Sequence, residues 1–374
     1  MKAVSDTLRK LEASGNLRML PASGGEGVID LSSNDYLGLA ADRSLRREFL
    51  ETLTEDSFLP TSSASRLLAG SQEAYAGLEN FLAGLYGAPA LLFNSGYHAN
   101  TGMVAALGGK DTLFVADKLV HASIIDGLTL SGSEFRRFRH NDMAHLEKIL
   151  TDCGSRYGRV VIIAESVYSM DGDRADIDAL VRAKRLHSNV LLYVDEAHAV
   201  GVLGEQGLGL AAHNPGVDIL VGTLGKALAS AGAYAVMNDT LRRFMVNRCR
   251  SLIFSTALPP VQAAWTEFVM RRAVLMDDRR RRLADIAGRI GEALGKEPSH
   301  IMPFIVGDAA RTVELSRQLL HDGVKVLPIR TPTVPPGTER LRISLSAALT
   351  DAETDKAIAA FKGLDKDISL ASAT

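Results

Sequence analysis

Between residues 90 and 237 mostly apolar short runs alternate with stretches of helical periodicity. The runs are Ala90–Phe93, Thr112–Ala116, Glu134–Phe138, Val160–Ala164, Val190–Val194, Ile219–Leu224 and Ala233–Met237. A strand apolar on both faces must be covered on both, and parallel neighbours need a crossover long enough to be a helix. Strand–helix alternation of this kind predicts βαβ units and an α/β fold with a large domain on a mostly parallel sheet. Ligands bind such sheets beyond the carboxyl ends of the strands. The polar residues at those ends therefore carry the functional reading.

The flanking segments are less regular. Residues 3–14 suit a short helix, followed by a glycine-rich link at Ser23–Gly27, a strand at Val28–Ser32 and a turn at Asn34–Gly38. A helix around Asp42–Leu53, a hydroxyl-rich loop at Pro60–Gly70 and a helix at Ser71–Tyr86 lead into the alternating region. Asn141 or Asp142 is placed to cap the helix after Phe138. Beyond Leu258–Pro260 an Arg-rich helical stretch runs to about Leu294. A strand at Ile301–Val306, a helix at Ala309–His321, strands near Val324–Pro328 and Leu341–Leu345, and a helix from Thr350 follow. This reads as a smaller C-terminal α+β domain. The expected division is an arm at 1–45, a large domain at 46–270 and a small one at 271–374, with Ser369–Thr374 fraying.

Composition removes several classes. A formal net charge of -2 gives no overall field toward nucleic acid or a membrane. Cys153 and Cys249 are the only cysteines, too few for a disulfide framework. Lys2, Asp6, Arg9, Lys10 and Glu12 interrupt the start as a signal peptide would not, and no apolar run reaches membrane-spanning length. A cytoplasmic protein is expected. Asp195-Glu-Ala-His198 resembles the acidic box of an ATPase, but Gly222-Thr-Leu-Gly-Lys226 has the wrong spacing for a phosphate loop and lies downstream. Gly204-Glu-Gln-Gly-Leu-Gly209 lacks the spacing of a dinucleotide fingerprint. The histidines show no zinc spacing, and no metal is expected. Arg279–Arg282 reads either as a solvated helix face or as a dock for an acidic carrier or phosphates.

The strand ends suit one chemistry. Lys226 leaves an apolar run, where desolvation lowers an amine pKa, and can form a Schiff base with an aldehyde. Pyridoxal phosphate needs such a lysine, a carboxylate to keep its ring nitrogen protonated, amides and hydroxyls for its phosphate, and a flat group against its ring. Asp195 ends the preceding strand. Gly96 and Tyr97 open a helix after another strand, and Thr223 offers a hydroxyl. His121 could stack, while His198 and Ser169 could reach the phenolic oxygen. Each has a blander alternative: Asp195 and His121 as caps, Gly96 as a tight turn, Thr223 as a β-branched strand residue.

At these residues the sequence resembles the α-oxoamine synthases, fold-type I pyridoxal phosphate enzymes. Ser32-Ser-Asn-Asp-Tyr-Leu-Gly-Leu39, Phe93-Asn-Ser-Gly-Tyr-His-Ala-Asn100, Val120-His-Ala-Ser123 and Ser169-Met-Asp-Gly-Asp173 carry the resemblance. Val194-Asp-Glu-Ala-His198, Thr223-Leu-Gly-Lys226, Ile305-Val-Gly-Asp308 and the segment Pro332–Arg342 continue it. It spans about Leu17 to Lys362. The resemblance implies decarboxylative condensation of L-alanine with a pimeloyl thioester, delivered on coenzyme A or acyl carrier protein. Lys226 would hold the cofactor and remove the α-proton, Asp195 would protonate the ring, and His121 would face the reacting carboxylate. It places Arg342 on the amino-acid carboxylate and Asn34, Thr333 and Arg18 near substrate. It also implies a homodimer with sites at the subunit interface, where Thr256 reaches the neighbouring subunit's phosphate. A sister synthase using glycine and another acyl thioester, and a pyridoxal-fold binding protein without turnover, are the alternatives. Thr61-Ser-Ser-Ala-Ser65 stands where relatives often carry a glycine-rich loop.

Overall fold

The computed structural model describes residues 1–18, 20, 25, 27–69 and 73–371, with side chains to residue 364. Most of the Ser23–Gly27 link, Gly70, the start of the Ser71–Tyr86 helix and residues 372–374 lie outside the described residues. Two compact units emerge. The larger comprises Leu37–Ser169 and Asp173–Arg280, the smaller Met1–Tyr36, Met170–Gly172 and Arg281–Thr374.

The larger unit is built on seven strands in the spatial order Ala90–Phe93, Ala233–Met237, Ile219–Thr223, Val190–Asp195, Arg159–Glu165, Thr112–Asp117 and Glu134–Phe138. Only Ala233–Met237 runs antiparallel to its neighbours, so the expected mostly parallel α/β sheet is present. Ala90–Phe93 and Thr112–Asp117 are buried at every position, as sheets covered on both faces require. Glu134–Phe138 lies at the edge, and its Glu134, Arg136 and Arg137 remain exposed. Charges there discourage pairing with another chain.

Helices Gly96–Leu107 and Ala122–Ser131 pack on this sheet and on each other. Their close approach requires glycine at 127, because a Cβ there would sit 2.8 Å from Val104 Cβ. Met103, Val104, Ile124 and Leu128 join Phe114, Val161 and Val221 in the core, each fully buried side chain contributing about 1.5–3 kcal/mol. Asp142, rather than Asn141, caps Met143–Cys153, accepting from the His145 amide at 2.8 Å. The Arg-rich stretch is not continuous: helices Pro260–Ala273 and Asp277–Leu294 are separated at Val274–Met276. Inside the expected loop Pro60–Gly70, Arg66–Ala69 forms one helical turn.

The smaller unit holds an antiparallel sheet in the order Leu327–Ile329, Arg340–Ser344, Ile301–Ile305. The single strand expected at Val324–Pro328 is split. Val324–Lys325 pairs in parallel with Ile29–Asp30, while Leu327–Ile329 joins the other sheet. Pro328 and Pro303 both lie on its outer strands, where a missing N–H is tolerated. Thr350 and Glu353 form a reciprocal cap at the start of the last helix, Asp351–Ala371.

Candidate active site

The strand Ile219–Thr223 ends at a turn closed by the Ser230 amide on Leu224 O (2.9 Å) and the Ala229 amide on Lys226 O (3.0 Å). Lys226 Nζ lies 2.7 Å from His198 Nε2. An ammonium can only donate, so with Lys226 charged Nε2 accepts and the imidazole proton sits on Nδ1. His198 reaches this place because the Ala199 and Val200 amides both turn back to Glu196 O at 2.9 Å.

Asp195 is buried at the end of the adjacent strand. Its Oδ2 accepts from Asn100 Nδ2 at 2.7 Å and its Oδ1 from the Ala197 amide at 2.9 Å. Asn100 also donates to Ser123 Oγ (3.0 Å) and accepts from the Tyr193 hydroxyl (2.6 Å). Its amide is thereby locked in one orientation, with its donors toward Asp195.

Glu165 stands opposite Asp195 in the register of the next strand. Burial, reinforced by the Asp195 charge and opposed by Lys226, pushes its carboxyl well above the usual range. Glu165 accepts the His121 amide at 2.5 Å. His121 caps the helix Ala122–Ser131, its Nδ1 accepting from the Ser123 amide at 3.2 Å. Since that amide can only donate, the neutral ring carries its proton on Nε2. Desolvation and the Lys226 charge lower the His121 pKa, against the pull of Asp195, although the residue keeps accessible surface.

Helix Gly96–Leu107 is capped by Ser95, which accepts from the His98 amide at 3.2 Å. The Gly96 and Tyr97 amides fall among those that a helix start leaves without an intrahelical partner. A Cβ on Gly96 would lie 3.8 Å from Thr223 Oγ1, so the Thr223 hydroxyl flanks this helix terminus. The Tyr97 side chain is partly exposed and its hydroxyl donates to Asp126. Ser169 sits on a hairpin leaving the strand Arg159–Glu165, whose root is tied by the Ser166 amide to Asp195 O at 2.9 Å. Thr256 forms a bridge with Ser65, and its carbonyl accepts from Asn94 Nδ2 at 2.6 Å. The Thr61–Ser65 loop is itself pinned by Ser62 Oγ on Ala257 O (3.1 Å), with Ser63 at φ 56. That left-handed conformation is the one glycine adopts most readily.

In the smaller unit Arg342, buried on the strand Arg340–Ser344, donates through Nη2 to Asn34 Oδ1 (3.1 Å) and the Tyr36 hydroxyl (3.5 Å). Tyr36 in turn donates to Asn34 Oδ1 at 3.0 Å. Burial raises the Tyr36 pKa to about 12 despite Arg342, so it remains a neutral donor. Arg18 Nη2 donates to Thr333 Oγ1 at 2.9 Å. The expected residues thus fall in two sets. Lys226, His198, Asp195, His121, Gly96, Tyr97, Thr223, Ser169 and Thr256 belong to the larger unit; Arg18, Asn34, Thr333 and Arg342 belong to the smaller.

Asn100, Tyr193, Glu165 and Tyr36 were not singled out by sequence. Asn100 had a signal, a polar residue on an otherwise apolar inner helix face. Glu165 ends a buried strand just as Asp195 does. Three of the four arginines in Arg279–Arg282 are engaged within the chain. Arg279 bonds Leu37 O and Asp42, Arg280 bonds Ala273 O and Val274 O, and Arg282 bonds Leu349 O and Asp351. Among the described residues no group of three or more His, Cys, Asp or Glu is arranged to hold a metal, and no helix is long and apolar enough to cross a membrane.

A lysine amine against a histidine three residues beyond a buried carboxylate, at the strand ends of a mostly parallel sheet, suits a fold-type I pyridoxal phosphate enzyme. The chain belongs to the family of class I and II aminotransferases, which it matches over residues 26–361, and within it to the α-oxoamine synthases, a pyridoxal-phosphate-dependent acyltransferase group. A Pasteurella multocida (strain Pm70) protein provisionally named 8-amino-7-oxononanoate synthase is 46% identical over 96% of this chain and 97% of its own. The structure of SPT with PLP superimposes with a TM-score of 0.88 at 27% identity, covering 98% of each chain. The 8-amino-7-oxononanoate synthase of Francisella tularensis gives 0.78 at 26% identity, covering 93% of this chain and 100% of its own. The donor set fits the cofactor. Lys226 supplies an amine, Asp195 keeps lone pairs beyond its two donors, and outside its own helix and chain neighbours the nearest atom to a Cβ built on Gly96 is Thr223 Oγ1 at 3.8 Å.

Proposed function

We propose that this enzyme condenses L-alanine with a pimeloyl thioester, on coenzyme A or acyl carrier protein, to 8-amino-7-oxononanoate, carbon dioxide and free thiol, a step of biotin synthesis. It acts as a cytoplasmic homodimer. The observation that carries the reading is the 2.7 Å contact of Lys226 Nζ with His198 Nε2, three residues beyond the buried Asp195, in a chain closely similar to relatives bearing that name.

Bound pyridoxal phosphate supplies an electron sink for negative charge developing at the amino-acid α-carbon. Lys226 Nζ would hold the cofactor, and the same nitrogen would take and return the α-proton. Asp195, its carboxylate steadied by Asn100 and the Ala197 amide, would hold the proton on the ring nitrogen. His121 offers a flat face, and with Nδ1 committed to the Ser123 amide it has an Nε2–H for the substrate carboxylate or carbonyl. His198 and Ser169 would orient the phenolic oxygen. The Gly96 and Tyr97 amides and the Thr223 hydroxyl would hold the phosphate, with Thr256 serving the partner subunit. Arg342, with Asn34 beside it, holds the amino-acid carboxylate by a charge-assisted contact, and Arg18 and Thr333 meet the acyl substrate.

Two measurements test this. Purified protein should fix cofactor on borohydride reduction, and Lys226→Ala should lose that fixation entirely; retained fixation would remove Lys226 from its role. Thiol release should require L-alanine with pimeloyl thioester. Equal or faster release with glycine and acetyl thioester, or with L-serine and a long-chain acyl thioester, reassigns the substrates to a sister synthase.

A further inference from the structure

Away from Lys226, three chain segments of the larger unit meet at one histidine. Asp117 ends the strand Thr112–Asp117 and is wholly buried. Its Oδ1 lies 2.9 Å from His140 Nδ1 and its Oδ2 accepts the Asn141 amide at 2.9 Å. On the opposite side, His140 Nε2 lies 2.7 Å from Asp173 Oδ2, which also accepts Asn141 Nδ2 at 2.8 Å. Both ring nitrogens thus face carboxylate oxygens. A neutral ring would set a lone pair against one of them, so both nitrogens donate and the ring is an imidazolium. Burial opposes that charge, but the hydrogen bonds to Asp117 and Asp173 outweigh it and raise the His140 pKa to about 10.

The element so anchored is the stem of the Ser169 hairpin. Tyr168 donates its amide to Asp173 O at 3.0 Å, Val167 bridges Arg174, and the Ala175 amide reaches Ser166 O at 3.1 Å. His140 grips this stem twice, by charge at Asp173 and by an edge-on ring contact with Tyr168 at 4.4 Å. Ser169 follows Tyr168 directly, and the root of the stem hangs on the Asp195 carbonyl.

We propose that His140 is a positioning residue: bridged between Asp117 and Asp173, it fixes the hairpin stem that carries Ser169 and so sets the hydroxyl's place at the cofactor. The proposal rests on the reading of Ser169 given above. His140 itself moves no proton in the reaction.

The test joins hydrogen exchange to spectroscopy in His140→Gln. A glutamine cannot donate to both carboxylates in the same geometry. In cofactor-stripped protein, the amides of residues 166–175 should exchange about tenfold faster or more, while those of the strand Val190–Asp195 hold their wild-type rates. In the loaded enzyme the pH at which the bound cofactor's absorption titrates should move by about half a unit or more, as loss of an ordered hydroxyl contact requires. Asp173→Ala, which removes only the half-exposed anchor on the stem, should reproduce both effects and keeps the test open should His140→Gln fail to fold. Wild-type exchange in residues 166–175 overturns the proposal. So does loosened exchange with an unmoved absorption titration, and neither result touches Lys226 fixation, on which the proposed function stands.

Discussion

Glu196 offers a perturbation whose size can be worked out. It follows Asp195 and is buried, accepting from Ser166 Oγ at 2.7 Å, the Leu210 amide at 3.0 Å and the Ala211 amide at 2.5 Å. Burial outweighs these three donors and raises its pKa from 4.5 to about 7. An acid whose folded pKa is raised adds stability that is complete below its unfolded pKa and is lost as pH rises through the folded one. At 1.36 kcal/mol per pKa unit, the loss between pH 4.5 and the region above pH 7 is about 3 kcal/mol. Glu196→Gln keeps the shape and cannot ionise. Any hydrogen bond the amide makes badly costs the same at every pH, so it drops out of a comparison between two pH values. Urea unfolding of cofactor-stripped wild type and variant at pH 5 and pH 8.5 therefore isolates the charge. On passing from the lower to the higher pH, the variant should gain about 2–3 kcal/mol relative to wild type. Parallel pH dependences would refute the reasoning, because they would mean that the buried carboxyl titrates as if in water.

Two further outcomes follow from the contacts. Arg342→Lys loses the planar fork and its bond to Asn34, and should raise the KM for the amino acid about tenfold or more with a smaller change in kcat; steady-state titration checks this, and a KM within twofold of wild type removes Arg342 from substrate binding. Gly222→Ala would place a Cβ 2.3 Å from Tyr234 Cζ, on a ring held by the Tyr86 hydroxyl at 2.5 Å. It should cost about 3 kcal/mol, read as a drop of several degrees in Tm, and an unchanged melt contradicts that packing.

Much of the larger unit was legible in sequence because its strands are buried on both faces, so apolar runs such as Val160–Ala164 report burial directly. The smaller unit was less legible. Val324–Pro328 read as one strand because pattern reports apolarity and not partners. The two halves divide at Val326 because one finds Ile29–Asp30 and the other Arg340–Ser344, choices made by residues far away in the chain. The glycines of Gly204–Gly209 were set aside as a failed nucleotide motif. Gly209, at φ 102, has another purpose: a Cβ there would meet Glu196 Oε2 at 2.6 Å, so glycine is needed where the chain closes over that carboxyl.

The site shows the same limit more sharply. Asp117, Glu165 and Asp195 each end a buried strand of the parallel sheet, and by local pattern they are equivalent. Their partners separate them. Asp117 is neutralised by the His140 imidazolium and three-fold bonded. Glu165 is driven toward its protonated form by burial and by the neighbouring Asp195, and accepts the amide that carries His121. Asp195 alone of the three receives a side-chain amide locked in orientation by Tyr193 and Ser123. Burial and the neighbouring carboxylate drive the proton onto Glu165, while Asp195 takes a side-chain donor and a backbone donor. What sets Asp195 apart from the other two strand-end acids is thus Asn100, a residue on a helix 95 positions upstream, and not the strand that bears the acid.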